Sequence, residues 1–105
     1  MSTINVLERA RKLIAQGWTQ GALARDRYGS NIHWESRHAV CWSLQGALLR
    51  AMGKRYPCCR GAPFVLFFRV SHPTKWNDAP ERTQAEVLAL FDQVIAAEKE
   101  KTVVI

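Results

Sequence analysis

The chain has 105 residues, 48% hydrophobic and 23% charged, proportions that fit a globular protein with one core and exclude a disordered chain. No apolar run reaches the roughly 20 residues of a membrane-spanning helix. The start, MSTINVLERA, carries an acid and an arginine before any apolar stretch, unlike a secretory signal. The cysteines (Cys41, Cys58, Cys59) indicate no disulfide framework. We therefore expect a single domain over residues 1–105, in the cytoplasm and without membrane contact.

The net charge of +6 is unevenly distributed along the chain. Residues 1–60 hold ten Lys or Arg and three Asp or Glu, whereas residues 61–105 hold five and six. No acid occurs between residues 36 and 77. If its basic side chains share one face, this stretch favours phosphate or an acidic protein surface; the alternative is a solvated face that only keeps the protein soluble. The basic residues concerned are Arg37, Arg50, Lys54, Arg55, Arg60, Arg69 and Lys75.

The first predicted element is a helix. Apolar residues recur at three- and four-residue steps from Val6 to Ile14, which places them on one face. Thr3 or Asn5 is expected to cap its start, and Asn5-x-x-Glu8 resembles a capping box. Gly17 is expected to end the helix as a left-handed residue.

The next segment, WTQGALARDRYGSNIHW, loses the helical period. Gly21 and Gly29 interrupt it, and residues 26–29 carry turn chemistry. We predict a small β-hairpin that pairs residues 22–25 with residues 31–34. The alternative is an irregular loop held by Trp18 and Trp34.

A second helix is predicted over residues 37–52, with Ser36 as its N-cap and Gly53 just beyond its end. Its apolar stripe comprises Val40, Leu44, Ala47, Leu48 and Ala51. Gly46 lies inside this helix, where glycine costs about 1 kcal/mol relative to alanine. We therefore expect a backbone or an aromatic ring to cross closely at residues 46–47.

Residues 54–75 are ambiguous. Pro57, Gly61 and Pro63 interrupt the start, and the short apolar run 64–70 fits a strand or a short helix. A helix is favoured, since a lone strand would need partners that the chain hardly offers.

The last helix is predicted to follow a capping box, Thr83-x-x-Glu86. Its apolar stripe comprises Val87, Leu88, Phe91, Val94 and Ile95. The predicted fold is mainly α: a compact bundle of three to four helices, with one small β-hairpin if residues 22–34 do not form a loop.

The stretch Trp76-Asn77-Asp78 has two interpretations. A short acceptor side chain before Ala79-Pro80 is typical of a cap or an Asx turn, and Trp76 would anchor that joint by burying its ring. The catalytic alternative needs Asp78 as a general base with a partner such as His72. The structural interpretation is favoured.

His38 and Cys41 would share one face of the predicted second helix. A thiol beside an imidazole can act as a nucleophile, but free cysteine more often packs as a small hydrophobe. His38, Cys41, Cys58 and Cys59 are candidate zinc ligands, and His33 and His72 are further candidates. The paired spacing of structural zinc sites does not occur, so we predict no metal and no cofactor.

Basic and aromatic residues interleave in LLRAMGKRYPCCRG. Arg50, Lys54, Arg55 and Arg60 there would contact phosphates, and Tyr56 would stack on a base. No helix-turn-helix, zinc-finger or RNA-recognition signature accompanies them, so backbone contacts are the expected mode if nucleic acid binds.

Three blocks, GWTQGALARD, AVCWSLQGALLRA and WNDAPERTQAEVLALFDQVI, resemble a family of small uncharacterised proteins of bacteria and their phages. The family pattern is W-T-x-G-x-x-A-R-D, then C-W/C-x-x-G-A, then W-N-D-x-x-x-R-T. Residues 53–75 depart from it. The resemblance implies a cytoplasmic, largely helical fold in a phage or mobile-element setting. The matching residues are Trp18, Thr19, Gly21, Cys41, Gly46, Ala47, Trp76, Asn77, Asp78, Arg82 and Thr83.

Taken together, these patterns favour a non-enzymatic basic binding protein, an accessory factor of a phage or mobile element. Its expected partner is nucleic acid, or an acidic or nucleic-acid-handling host complex whose defence role it would inhibit. The runner-up is a small hydrolase or transferase that uses Cys41 with His38, or Asp78 with His72. A third hypothesis is a homodimer seam at Trp34, Trp42 or residues 64–68.

Overall fold

The structure, a computed structural model, describes residues 3–53 and 72–103. In that part of the chain, four helices and a two-stranded antiparallel sheet confirm the predicted mainly α class. The predicted element at residues 64–70 lies outside the described residues. In chain order the elements are α1 (Thr3–Gln16), β1 (Ala24–Arg25), β2 (Cys41–Trp42), α2 (Leu44–Met52), α3 (Pro73–Asn77) and α4 (Gln84–Val103).

The hydrophobic core lies around α1, which packs against both α2 and α4. The stripe predicted on α1 is buried as expected, with Val6, Leu7 and Ile14 fully enclosed. Burial of each such side chain contributes about 1.5–3 kcal/mol. The fully buried residues that α2 and α4 add to this core are Leu44, Ala47, Leu48, Met52, Val87, Phe91 and Val94.

Both ends of α1 differ from their prediction. Asn5 lies inside the helix, which begins at Thr3, so the predicted Asn5 cap is wrong. Gly17 follows the helix, but its φ is not positive. A Cβ on Gly17 would collide with the carbonyl oxygen of Val40 and would lie 3.0 Å from Cys41 Cβ. The glycine is therefore required by the close passage of another backbone, and not by a left-handed turn.

The sheet pairs different residues from those predicted. Ala24 lies opposite Trp42 and Arg25 opposite Cys41, whereas residues 31–34 contribute only an isolated bridge between Asn31 and Arg25. Of the predicted hairpin, the turn at residues 26–29 and the pair Arg25–Asn31 are present, with Ile32 N donating to Ala24 O at 3.1 Å, but the pairing does not extend to residues 22–23 and 33–34. Trp42 explains the preference for β2, since pairing there buries its ring to 3% exposure.

Helix α2 begins seven residues later than predicted, at Leu44 instead of Arg37. Its N-cap is Ser43, whose hydroxyl accepts a hydrogen bond from Gly46 N at 3.1 Å, so the predicted Ser36 cap is wrong. Val40, which the predicted stripe included, is 47% exposed.

Helix α2 begins later than predicted because backbone pairing with other segments competes with the helix over residues 40–43. Val40 N donates to Arg25 O at 2.9 Å, Trp42 N to Gly17 O at 3.1 Å and Ser43 N to Leu23 O at 3.1 Å. These bonds use N–H groups that a helix would otherwise turn towards its own carbonyls.

Gly46 lies at the predicted close contact, and the neighbour is the backbone of Leu23. A Cβ at Gly46 would collide with the carbonyl oxygen of Leu23 and would lie 2.8 Å from its carbonyl carbon. The glycine lets α2 pass the segment before β1, so the cost of glycine in a helix is offset by a packing that alanine cannot enter.

Helix α4 begins with the predicted capping box. Thr83 N donates to Glu86 Oε1 at 3.0 Å, and Glu86 N donates to Thr83 Oγ1 at 3.3 Å. Gln84 also reaches α1, where its Nε2 donates to Ile14 O at 2.7 Å and satisfies one of the last carbonyls of that helix. Within the described residues, none of the helices combines the length and the apolar character needed to cross a bilayer.

Replacing Gly46 with alanine should destabilise the fold. Helix propensity alone favours the variant by about 1 kcal/mol, whereas the collision with Leu23 O opposes it by about 1–3 kcal/mol or more. We expect the collision to dominate, because the obstructing atom belongs to the backbone. Urea denaturation followed by circular dichroism would give the change in the free energy of unfolding.

The matched control is Gln45→Ala at the neighbouring half-buried position of α2, which should change stability little. A Gly46→Ala protein as stable as the Gln45→Ala protein would contradict the close contact.

Candidate functional site

The side chain of Asn77 is the centre of a polar cluster at the end of α3. The residue is fully buried. Its Oδ1 accepts from Trp18 Nε1 at 2.7 Å and from Leu44 N at 3.0 Å. Its Nδ2 donates to Thr19 O at 3.1 Å and to Asp78 Oδ1 at 3.0 Å. An amide has two acceptor and two donor positions, and all four are used.

The bond to Leu44 caps a helix from a distance. Leu44 is the first residue of α2, and the N–H groups of a first helical turn have no partner within their own helix. Asn77, 33 residues further along the chain, supplies the missing acceptor. The start of α2 is therefore stabilised twice, by Ser43 from the preceding residue and by Asn77 from α3.

Gln20 and Asp78 extend this cluster to the surface. Gln20 Nε2 donates to Asn77 O at 2.9 Å and to Ala79 O at 2.8 Å. Gly21 N donates to Asp78 Oδ1 at 3.0 Å. The Asp78 carboxylate thus accepts from one backbone group and one side chain, and it joins the segment after α1 to the segment after α3.

Arg25 holds the loop that follows it. Its Nε donates to Thr19 Oγ1 at 3.0 Å and its Nη2 to Gln20 O at 3.1 Å. Its Nη1 donates to Gly29 O at 3.0 Å and to Asn31 Oδ1 at 2.7 Å. The planar guanidinium, with donors in fixed directions, connects residues on both sides of β1.

Arg82 plays a similar part before α4. Its guanidinium lies 3.9 Å from the centre of the Trp76 ring, and its Nε donates to Trp76 O at 2.9 Å. Its Nη1 forms an ion pair with Glu86 at 3.1 Å. The ring of Trp76, a residue of α3, is thereby held against the segment that leads into α4, a contact that includes a cation–π interaction.

The structure separates the members of the proposed Cys41–His38 pair by secondary structure. Residues 37–40 are not helical, and Cys41 lies on β2, so the shared helix face on which that pair depended does not exist. Cys41 is half-buried, with Sγ 3.9 Å from Arg25 O. The backbone N–H of His38 donates to Ser36 Oγ at 3.1 Å.

The other proposed pair, Asp78 with His72, lies at opposite ends of α3. His72 precedes the helix and is exposed, and its carbonyl accepts from Trp76 N at 2.8 Å. The Asp78 Oδ1 atom accepts from Gly21 N and Asn77 Nδ2 instead.

The predicted basic surface is described only in part. Arg37 and Lys75 are exposed. Arg50 is half-buried, donating through Nη1 to Trp34 O at 3.1 Å and to Ser36 O at 2.9 Å, with its guanidinium 5.4 Å from the centre of the Trp42 ring. Arg50 therefore braces the loop before β2. The remaining members, Lys54, Arg55, Tyr56, Arg60 and Arg69, lie outside the described residues.

Among residues 3–53 and 72–103, no three His, Cys, Asp or Glu side chains lie close enough to hold a metal ion together. Cys58 and Cys59, the other two of the four candidate zinc ligands, fall outside these ranges.

A groove of about 670 Å³ runs between α1 and α4, which the sequence did not predict. Arg11 Nε contacts Asp92 Oδ1 at 2.6 Å across it, and this hydrogen bond raises the pKa of Arg11 above its ordinary value. Lys99 and Glu8 form a second bridge at 3.5 Å. Both pairs are exposed, and such pairs contribute at most about 1 kcal/mol each. Opposite charges so far apart in the chain, such as Arg11 and Asp92 at a separation of 81 residues, carry no sequence signal of their own.

The described part of the chain is thus a small mainly α domain whose connecting segments are fixed by polar side chains. Comparison with protein families matches residues 1–97 to the family described as "Family of unknown function (DUF6197)". The chain belongs to this family, in agreement with the resemblance seen in its sequence. Comparisons with curated proteins and with solved structures found no significant match.

Replacing Asn77 with alanine should destabilise the protein by about 3 kcal/mol, because the N–H groups of Trp18 and Leu44 would lose their acceptor in a buried place. Thermal and urea denaturation would measure the loss. The indole N–H resonance of Trp18 in a proton–nitrogen spectrum should shift in the same variant.

Asp78→Asn is the matched control. It keeps an oxygen for Gly21 N and should cost less than about 1 kcal/mol. If the two variants unfold at the same urea concentration, the buried amide does not have the role assigned to it.

Proposed function

We propose that this protein is a non-enzymatic binding protein that contacts the phosphate backbone of nucleic acid through basic side chains of residues 36–77. The observation that carries the proposal is the absence of any acid among these residues, which hold seven Lys or Arg. A protein surface with this charge attracts polyanions, and the attraction depends little on nucleotide sequence.

The polar contacts of the fold support a division between residues that hold the structure together and exposed basic residues that bind. Asn77, Arg25 and Arg82 form their hydrogen bonds with other segments of the chain. In the described residues, every buried side-chain nitrogen or oxygen has a partner. The residues shared with the family pattern therefore have an architectural use, whereas the exposed cations Arg37 and Lys75 have no such use in the described contacts.

The basic residues are not equivalent in this proposal. Arg50 contacts Trp34 O and Ser36 O, so its loss would disturb a loop as well as remove a charge. Lys54 and Arg55 follow the end of α2 at Gly53 directly in sequence and belong to the acid-free stretch. They are the better probes of binding.

The proposed phage or mobile-element setting rests on the family resemblance alone. An accessory factor of that kind would act on nucleic acid directly or on a host complex that handles it. Purification of a tagged copy from its native host tests this setting. Direct binding predicts that DNA or RNA is recovered with the protein and that nuclease treatment removes it.

Reversing Lys54 and Arg55 to glutamate should weaken binding to nucleic acid by about tenfold or more, and should reduce the slope of log K against log salt by about two. The measurement is fluorescence anisotropy with labelled single-stranded and duplex oligonucleotides of about 20 nucleotides, titrated between about 50 and 200 mM salt. Circular dichroism would verify that the variant is folded.

The matched control reverses Arg9 and Lys12, two exposed cations of α1, which changes the net charge equally. An equal loss in both variants would show that total charge, and not residues 36–77, determines binding. No detectable binding at the lowest salt would overturn the proposed function, and an acidic protein partner would then be the competing hypothesis.

A further inference from the structure

The turn after β1 carries an unusually exposed aromatic side chain. Tyr28 is 76% exposed, more than Leu23 at 38% or Val40 at 47%. It therefore contributes little to the core. Tyrosine and arginine are enriched among the side chains that dominate binding at interfaces, so this position is a candidate contact.

The turn that presents Tyr28 is nevertheless well fixed. Asp26 Oδ1 accepts from Tyr28 N at 2.9 Å and from Ser30 N at 3.0 Å. Asp26 N donates to Ser30 O at 3.0 Å, and Gly29 N donates to Asp26 O at 3.0 Å. Gly29, at a φ of 82°, supplies the left-handed residue that closes such a turn.

Arg25 fixes the same turn through the hydrogen bonds of its guanidinium group. Its Nη1 binds Gly29 O and Asn31 Oδ1, while its Nε and Nη2 bind the segment after α1. Arg25 and Asp26 are the last two residues of the block GWTQGALARD. Two charged residues are thus used to hold a turn whose most prominent side chain packs against nothing in the core.

The surroundings of Tyr28 indicate what it would bind. Arg27 lies with its guanidinium 4.9 Å from the centre of the Tyr28 ring, and its Nη2 donates to the Tyr28 hydroxyl at 2.7 Å. Oδ1 of the Asp26 carboxylate beside them accepts from two backbone N–H groups. The exposed end of the turn therefore offers an aromatic face and a cation together, the pair that stacks an unpaired base and neutralises its phosphate.

We propose that Tyr28 is a stacking platform for an unpaired base of single-stranded nucleic acid, with Arg27 beside it as the phosphate contact. This inference rests on the proposed function and adds a substrate class, because a tyrosine at the end of a turn reaches a base face only where the base is unpaired. The protein should prefer single strands to duplex of the same length.

The test compares Tyr28→Ala with Tyr28→Phe in the full chain, using fluorescence anisotropy on a labelled oligothymidylate and on a duplex of matched length. Tyr28→Ala should lose about tenfold in affinity for the single strand, as is typical for removal of one stacking contact. Tyr28→Phe should retain the affinity, and binding to the duplex should change little in either variant. The high exposure of Tyr28 makes both variants compatible with folding.

A second pair of variants tests the turn itself. Asp26→Ala removes a negative charge, so electrostatics alone predicts tighter binding to an anion, whereas loss of the acceptor for Tyr28 N and Ser30 N predicts weaker binding to single strands. We expect the weaker binding, by about threefold to tenfold on the scale of one stacking contact. Asp26→Asn keeps an acceptor suited to the turn and should restore affinity.

The outcomes separate this inference from the proposed function. If Tyr28→Ala binds single strands as tightly as the parent protein while reversal of Lys54 and Arg55 weakens binding, the stacking platform is wrong and the basic surface stands. If the parent protein binds neither oligonucleotide, both proposals fall. Equal losses on single strands and duplex in Tyr28→Ala would also overturn the platform, since stacking requires an unpaired base.

Discussion

The arrangement of the described elements depends on one buried amide, that of Asn77. Its two acceptor positions and two donor positions reach the indole of Trp18, the backbone of Thr19, the first N–H of α2 and the carboxylate of Asp78. A carboxylate in its place could not donate, and a hydroxyl could not make four bonds. Because a half-satisfied buried group is costly, the four partners must take their positions together.

The helices α1 and α4 were predictable because their signals are local. The apolar stripe from Val6 to Ile14 and the Thr83–Glu86 capping box each act within a few residues, and no distant group competes for them. The start of α2 was not predictable in this way. Val40 fits the helical spacing of that stripe, but the pairing of its N–H with Arg25 O, 15 residues earlier, decides the conformation.

The candidate sites show the same limit. Sequence reasoning identified Trp76-Asn77-Asp78 as a joint, since caps and turns have local signatures, but it could not name Trp18 or Leu44 as partners. It also placed Arg50 among the surface cations, because the sequence does not distinguish a half-buried arginine that braces a loop from an exposed one. Tyr28 received no role, because exposure is a property of the folded chain.

Contact between α2 and α3 has a consequence for the segment that joins them, residues 54–71. The two helices are fixed to each other by contacts between described residues, above all the hydrogen bond that Leu44 N donates to Asn77 Oδ1. Because the contacts that fix α2 against α3 lie outside residues 54–71, a relative could exchange these residues for others and acquire a new specificity there while keeping the rest of its architecture.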